Sequence, residues 1–362
     1  MNALEAKIHR MIEAEGPISI ALYMALCLGD VKHGYYMTKE AFGTKGDFIT
    51  APDVSQLFGE MIGVYLALCF DQLDVEKPVT LVELGPGRGT LMADVLRTLK
   101  QLKPTQFELL DVALVETSPR LRALQFKALA TFKNPAFHNS IASLPKDKPL
   151  LIMGNEFLDA LPVHQYVKIG AHWRERMVTV QDGKLAFTTG ASTLASSELP
   201  ADTMHSEDGA IFEIAPARLA MVEELVAQVK AQSGAAVLID YGHMQSGIGD
   251  TLQAMRAHGF APVLETPGDV DLTSHVDFEP LQKVAARAGC DTSLITQGAF
   301  LLELGILQRA GAFGAGKSAK LQAEIKIAVE RLAGAAQMGQ LFKVLCFGAY
   351  LPPPFGNGME HP

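Results

Sequence analysis

The chain is poor in cysteine, and its four thiols follow no binding pattern: Cys27, Cys69, Cys290 and Cys346 are scattered through apolar stretches with no C-x-x-C pair. That excludes a zinc knuckle or a disulfide framework and reads as core thiols of a reducing compartment. An excess of positive charge is also missing. With 31 Lys and Arg against 40 Asp and Glu, the net charge of -9 argues against a surface that grips nucleic acid by neutralising phosphates. The apolar run Ile18 to Leu28 is too short to cross a bilayer and reads as a core helix after the Gly16-Pro17 break. Met1 to Arg10 mixes charges of both signs without an adjoining apolar segment, unlike a secretory signal or a transit peptide. The expectation is a soluble, cytoplasmic protein with no membrane insertion and no nucleic-acid partner.

What is present suits an α/β chain. At 362 residues, 48% hydrophobic and 20% charged, there is room for one large domain with additions or for two domains. Residues 1–73 read as a helical extension with a glycine-interrupted middle, Lys32 to Ala51. Asp53, with Gln56 three residues on, resembles a capping box opening a helix that runs to Phe70. From Val79 short apolar runs alternate with helices, as expected for strands buried on both faces: Val79 to Leu84, Val112 to Val115, Ala136 to His138, Leu150 to Met153 and Ala235 to Ile239. Ser118 and Pro119 form a helix start signal between two of them.

Between the fourth and fifth strands the period changes to two. Gln165 to Ile169, His172 to Val180 and Lys184 to Thr188, with a turn at Asp182-Gly183, predict an inserted antiparallel meander, with Ile211 to Ile214 as another strand. The expected organisation is therefore a core over 74–162 and 233–362, the meander and its return helix over 163–232, and a helical insertion near 299–335.

The chemistry concentrates where strands end. Val82-Glu83-Leu84-Gly85-Pro86-Gly87-Arg88-Gly89-Thr90 is an apolar strand that ends in an acid and breaks into alternating glycines before a helix. Such a loop sets backbone N–H groups and a helix N-terminus against a nucleotide-like ligand. The G-x-G-x-G spacing leaves Thr90 where the dinucleotide fingerprint G-x-G-x-x-G would place its last small residue, which turns the reading from dehydrogenase toward methyltransferase. S-adenosylmethionine needs close backbone approach, acceptors for two ribose hydroxyls and some negative charge. Gly85, Gly87 and Gly89 supply the approach, Glu83 meets the cationic tail directly or through water, and Glu116 at the end of the second strand accepts the ribose hydroxyls.

The fourth strand ends in Asn155-Glu156-Phe157-Leu158-Asp159-Ala160-Leu161-Pro162, which puts Asn155 beside the cofactor. A guanidinium is a poor nucleophile until its charge is localised on one edge and a proton is removed. Glu156 and Asp159 could grip that edge; alternatively Asp159 caps a turn and Glu156 orients the loop. Gly46 to Pro52 reads either as a lid that would bring Thr50 onto the cofactor or as a plain connector. His164 is a candidate general base, although a lone histidine beside a strand is usually structural. Gly268 to Asp277 clusters acids with His275, but without the EF-hand spacing, so a polar substrate-side loop is expected and no metal. Gly311 to Ser318 matches the P-loop pattern G-x-x-x-x-G-K-S, yet it follows a helical pattern rather than a buried strand and reads as a linker.

Together these residues resemble the class I S-adenosylmethionine-dependent methyltransferases. More narrowly, the chain resembles the family of the mitochondrial complex I assembly-factor arginine methyltransferase, the mitochondrial dysfunction protein A family. The resemblance rests on Gly34-Tyr35-Tyr36, Gly46 to Pro52, Phe58-Gly59-Glu60, Val82 to Thr90, Asn155 to Pro162, Ile239 to Gly242 and Asp271 to Asp277. It implies a seven-stranded Rossmann-like core, S-adenosylmethionine as cofactor held by the glycine loop and Glu116, and symmetric dimethylation of an arginine on a subunit of NADH:ubiquinone oxidoreductase. Without a transit peptide a bacterial member is expected, with a homodimer as one arrangement it could take. Two alternatives stay open: methylation of a small molecule or another side chain, and an assembly chaperone that keeps the fold without turnover.

Overall fold

A computed structural model describes residues 1–39, 50–73, 77–195, 198–200, 203, 205–256 and 259–356. The chain divides into two compact units, one of Ile49–Leu158, Met221–Met244 and Val276–Pro362, the other of Met1–Phe48, Asp159–Ala220 and Gln245–His275.

The first unit is built on a sheet whose strands run in the order Asp291–Thr296, Phe342–Gly348, Ala235–His243, Leu150–Asn155, Val79–Leu84, Leu110–Val115, Ala136–His138. The five from Ala235–His243 to Ala136–His138 are parallel, and the Phe342–Gly348 strand is antiparallel to both its neighbours. A short eighth strand, Val276–Asp277, pairs parallel with the end of Ala235–His243. The central strands are apolar on both faces because helices cover both, and all six residues of Val79–Leu84 are buried. Strand order reverses between Val79–Leu84 and Leu150–Asn155, so the crevice beyond their carboxyl ends is the natural ligand position of such a sheet.

The Gln56–Phe70 helix belongs to this unit, with Leu57, Phe58, Ile62, Tyr65 and Leu66 in the same core as Leu81, Leu151 and Val344. Its N-cap is Ser55, whose Oγ accepts the Leu57 N–H at 3.2 Å, and not Asp53. Asp53 lies instead in a preceding short helix, Ala51–Val54, because Thr50 already takes the extended backbone of a cap. Glycines then let this helix approach the next one, Thr90–Leu102. A Cβ added at Gly59 would sit 2.5 Å from Asp94 Cβ, and one at Gly63 would sit 2.7 Å from Thr98 Cβ. Glu60, buried between them in sequence, takes a bidentate pair from Arg309 Nε (2.7 Å) and Nη2 (3.1 Å).

Arg309 lies on the Ile306–Gly314 helix, which settles the geometry of the P-loop-like octet: Gly311 to Gly314 is helix, and Ser318 N-caps the next helix, Ala319–Ala333. A strand-to-helix phosphate loop is not formed there.

The second unit carries the expected meander. His164–Ile169, His172–Gln181 and Lys184–Thr193 pair antiparallel, and Ile211–Ile214 adds to the first of them. Asp182 (φ 51°) and Gly183 (φ 73°) both take left-handed backbone, the two-residue turn that matches strand twist. Two pairings are not evident from periodicity: Ile18–Ser19 adds to the meander, so the helix after Gly16-Pro17 starts at Ile20, and Gln253–Arg256, Gly259–Ala261 and Asp271–Thr273 form a separate sheet. Leu4, Ile8, Tyr23, Val178, Ala254 and Leu272 fill this unit's core.

The close helix approach sets the sign of a substitution. Gly63→Ala, which would stabilise an isolated helix by about 1 kcal/mol, should instead destabilise the protein by roughly 1–3 kcal/mol through overpacking. Urea denaturation of both proteins checks this; a rise in midpoint would contradict the packing.

Candidate cofactor and catalytic site

The site is assembled from the carboxyl ends of three neighbouring parallel strands, and each of them ends in a glutamate. Glu83 is the fifth residue of Val79–Leu84, Glu116 follows Leu110–Val115, and Glu156 follows Leu150–Asn155. Between the first two, the glycine loop turns into the Thr90–Leu102 helix. Gly85, Gly87 and Gly89 have φ of 58°, 52° and 81°, a left-handed backbone that side chains with a Cβ rarely adopt. The Gly89 N–H closes a tight turn on the Pro86 carbonyl at 2.7 Å. Space is as restrictive as torsion: a Cβ at Gly85 would lie 2.7 Å from Phe157 Cδ2.

Glu83 is buried, with 3% of its surface exposed. Burial pushes its carboxyl from 4.5 up to about 8, partly offset by a hydrogen bond from the Met92 N–H in the first turn of the following helix. Its Oε2 has no hydrogen-bond partner among the described residues. Glu116 is held at both oxygens: the Ser118 N–H donates to Oε1 at 2.7 Å and Gln125 Nε2 to Oε2 at 3.1 Å. Each oxygen keeps acceptor capacity for a further donor, which suits a vicinal diol. The strand end that carries Glu116 is itself anchored by Arg122, whose Nε donates to the Glu116 carbonyl at 2.8 Å.

Glu156 has a left-handed backbone at φ 51°, uncommon for a residue with a long side chain. Its Oε1 accepts from Asn155 Nδ2 at 3.1 Å and from the Ala51 N–H at 3.3 Å. Asn155 Oδ1 is buried and has no hydrogen-bond partner among the described residues. The turn that presents these side chains is fixed from below by Asp240, whose Oδ2 accepts the Phe157 N–H (3.1 Å) and the Leu158 N–H (2.9 Å). Thr50 lies at the start of the Ala51–Val54 helix, where its hydroxyl bonds Asp53, and Asp53 pairs with Arg88 of the glycine loop. Residues 46–49, the rest of the expected lid, lie outside the described residues.

Two expected catalytic residues are placed in the other unit. His164 Nδ1 is 2.8 Å from Glu175 Oε1 on the neighbouring strand of the meander. Asp159 is buried there, and its carbonyl accepts the Ser274 N–H (3.2 Å) and Arg218 Nη2 (3.1 Å). Arg218 is 2% exposed and also donates to the carbonyls of Leu161, Ser274 and His275 and to Ser274 Oγ, so one guanidinium ties the 159–161 segment to 274–275. The acids of Gly268 to Asp277 have separate partners: Asp269 pairs with Lys39 at 2.7 Å, Asp271 accepts the Tyr36 hydroxyl at 3.0 Å, and Asp277 caps the Phe278–Arg287 helix.

Gln125, Asp240 and Arg218 are absent from the sequence-based set. Asp240 lies in a quoted motif, but nothing in a linear sequence shows that it receives amides from 82 and 83 residues away.

The Methyltransf_28 family, described as S-adenosyl-L-methionine-dependent methyltransferase, matches residues 61–296. The zebrafish protein arginine methyltransferase NDUFAF7, mitochondrial, is 33% identical over 357 residues, covering 92% of this chain and 83% of that protein. The human protein of the same name is 34% identical over 322 residues, 82% and 71% of the two chains. A crystal structure of a Burkholderia thailandensis protein bound to S-adenosyl-homocysteine superposes with a TM-score of 0.83 at 28% identity, covering 96% of this chain and 92% of that one.

The buried Glu83 gives a pH dependence. Between pH 4.5 and about 8 the folded chain holds a proton that the unfolded chain has released, so this group lowers folding stability progressively as pH rises through that window. Glu83→Gln removes the contribution. From pH 5 to pH 8 the wild-type protein should lose on the order of a few kcal/mol more stability than the variant, measured by urea denaturation without cofactor; parallel profiles would contradict the burial argument.

Proposed function

The chain belongs to the family of S-adenosyl-L-methionine-dependent methyltransferases, with their class I fold, and from that premise we propose that it methylates an arginine of a protein substrate, a subunit of NADH:ubiquinone oxidoreductase. The observation that carries the reading is the row of three carboxylates, Glu83, Glu116 and Glu156, at the ends of adjacent strands around one glycine loop.

The residues present fit the cofactor. Glu116 offers both oxygens to a diol, while the buried acceptors Glu83 Oε2 and Asn155 Oδ1 suit a cationic amino-acid tail. S-adenosylmethionine, when bound, supplies an electrophilic methyl group on a sulfonium. Gly85, Gly87 and Gly89 would let it lie close to the main chain, and Glu83 and Asn155 would orient its tail.

Glu156 is the acceptor-side residue of the reading. Its carboxylate, held by the Ala51 and Asn155 donors, faces a guanidinium with localised negative charge, concentrates the cation on one edge and receives its proton. The left-handed backbone that aims it supports a functional role. Arginine as acceptor is supported by the names of the vertebrate relatives, which cover most of the chain. The respiratory-complex subunit and symmetric dimethylation are supported by the resemblance carried in Asn155 to Pro162 and Asp271 to Asp277.

Labelled S-adenosylmethionine and complex I subunits purified from a strain lacking this protein test the reading. The intact chain should put label on arginine, and Glu156→Gln should slow transfer by about 100-fold or more while S-adenosyl-homocysteine binding stays within about threefold. Label on a different residue or a small molecule would refute the arginine reading, and Glu156→Gln that still restores complex assembly without methylation would favour a chaperone.

A further inference from the structure

We propose that Gln125 is a positioning residue of the cofactor site, whose amide presets Glu116 for the two hydroxyls of the ribose; the inference rests on the reading of this strand edge as the methyl-donor site. Gln125 lies on the Pro119–Leu129 helix with none of its surface exposed. Its Nε2 donates to the Gly87 carbonyl at 2.7 Å and to Glu116 Oε2 at 3.1 Å. Both partners are acceptors, so the amide cannot turn over without setting its oxygen against oxygen. Both N–H groups are committed, one to the glycine loop and one to the carboxylate, while Oε1 is buried without a partner among the described residues. Leaving that acceptor unmet costs stability. A residue serving packing alone would carry no such cost, and the cost is incurred where the amide links the two pieces of the site.

The linkage has a geometric consequence. With Ser118 N–H on Oε1 and Gln125 Nε2 on Oε2, the carboxylate plane is fixed by one donor per oxygen. The remaining lone pairs are presented together, as a bidentate acceptor for adjacent hydroxyls. The same helix backs the loop: a Cβ at Gly89 would be 3.4 Å from Gln125 Cα and 3.6 Å from Ala128 Cβ. Loop and carboxylate therefore keep one relative position before any ligand arrives, and the advantage of that preorganisation falls on the ribose.

A purely structural glutamine would affect all ligands alike, so the ribose supplies the discriminating readout. S-adenosyl-homocysteine and its 2′-deoxyribose analogue are titrated calorimetrically into the full-length wild-type chain and into Gln125→Met, which keeps length and apolar volume. Loss of one hydroxyl to a charged acceptor should weaken binding to the wild-type protein by about tenfold or more. In Gln125→Met the affinity for S-adenosyl-homocysteine should fall by a similar factor while the deoxy analogue is little changed, so the ratio between the two ligands collapses. Gln125→Glu, which sets a second carboxylate against Glu116, should collapse the same ratio and decides the matter if the methionine variant does not fold. A ratio equal to that of the wild-type protein in a folded variant, or a wild-type protein that binds both ligands equally, overturns the role of Gln125. A wild-type protein that binds neither ligand overturns the reading of the site itself.

Discussion

The site depends on one backbone constraint, the three left-handed residues that carry the chain from Leu84 into the Thr90–Leu102 helix. Gly85, Gly87 and Gly89 satisfy the torsions, and the absence of side chains leaves room for Phe157 on one side and the Pro119–Leu129 helix on the other. The loop is thereby a packing junction as well as the proposed cofactor cradle. Phe157 packs against Gly85, and Gln125 ties the Gly87 carbonyl to the Glu116 carboxylate.

Gathering three carboxylates at one sheet edge opposes folding, and the structure offsets this in the same way each time. Glu83 receives the Met92 N–H from the first turn of a helix, Glu116 the N–H of the N-cap residue Ser118, and Glu156 the N–H of Ala51 at the start of another. Helix N-termini have N–H groups without intrahelical partners and a positive end of the dipole, so each acid is paired with a fixed positive environment rather than with a mobile lysine. Glu116 and Glu156 are held in place in this way. Glu83 is the exception that shows the limit, because one amide does not outweigh full burial and its carboxyl stays protonated well above the ordinary range.

Much of this was legible in the sequence because it is local. The loop spacing, the acid at each strand end, the strand-and-helix alternation and the Asp182-Gly183 turn are all set by neighbours within a few residues. Where the sequence leaves a side chain's partners open, a distant residue supplies them. Asp53 has the composition of a cap, but Ser55 takes the role because Thr50 opens a short helix first. Asp159 follows Glu156 by three residues, yet it falls in the other unit, with its carbonyl bonded to Arg218 and Ser274. His164 bonds a glutamate on an adjacent strand whose register alternation alone does not fix. Gln125 looks like any helical glutamine until the fold closes around Gly87 and Glu116. The P-loop-like octet shows the converse, a perfect local match emptied by its helical context.

The most direct test of the central claim is amide hydrogen exchange of the full-length protein with and without S-adenosyl-homocysteine, resolved to short peptides. Slowed exchange is expected in Gly85 to Leu91, Glu116 to Leu121 and Asn155 to Leu158, the segments that carry or directly follow the three glutamates. Exchange unchanged in all three segments, or slowed only elsewhere in the chain, would contradict it.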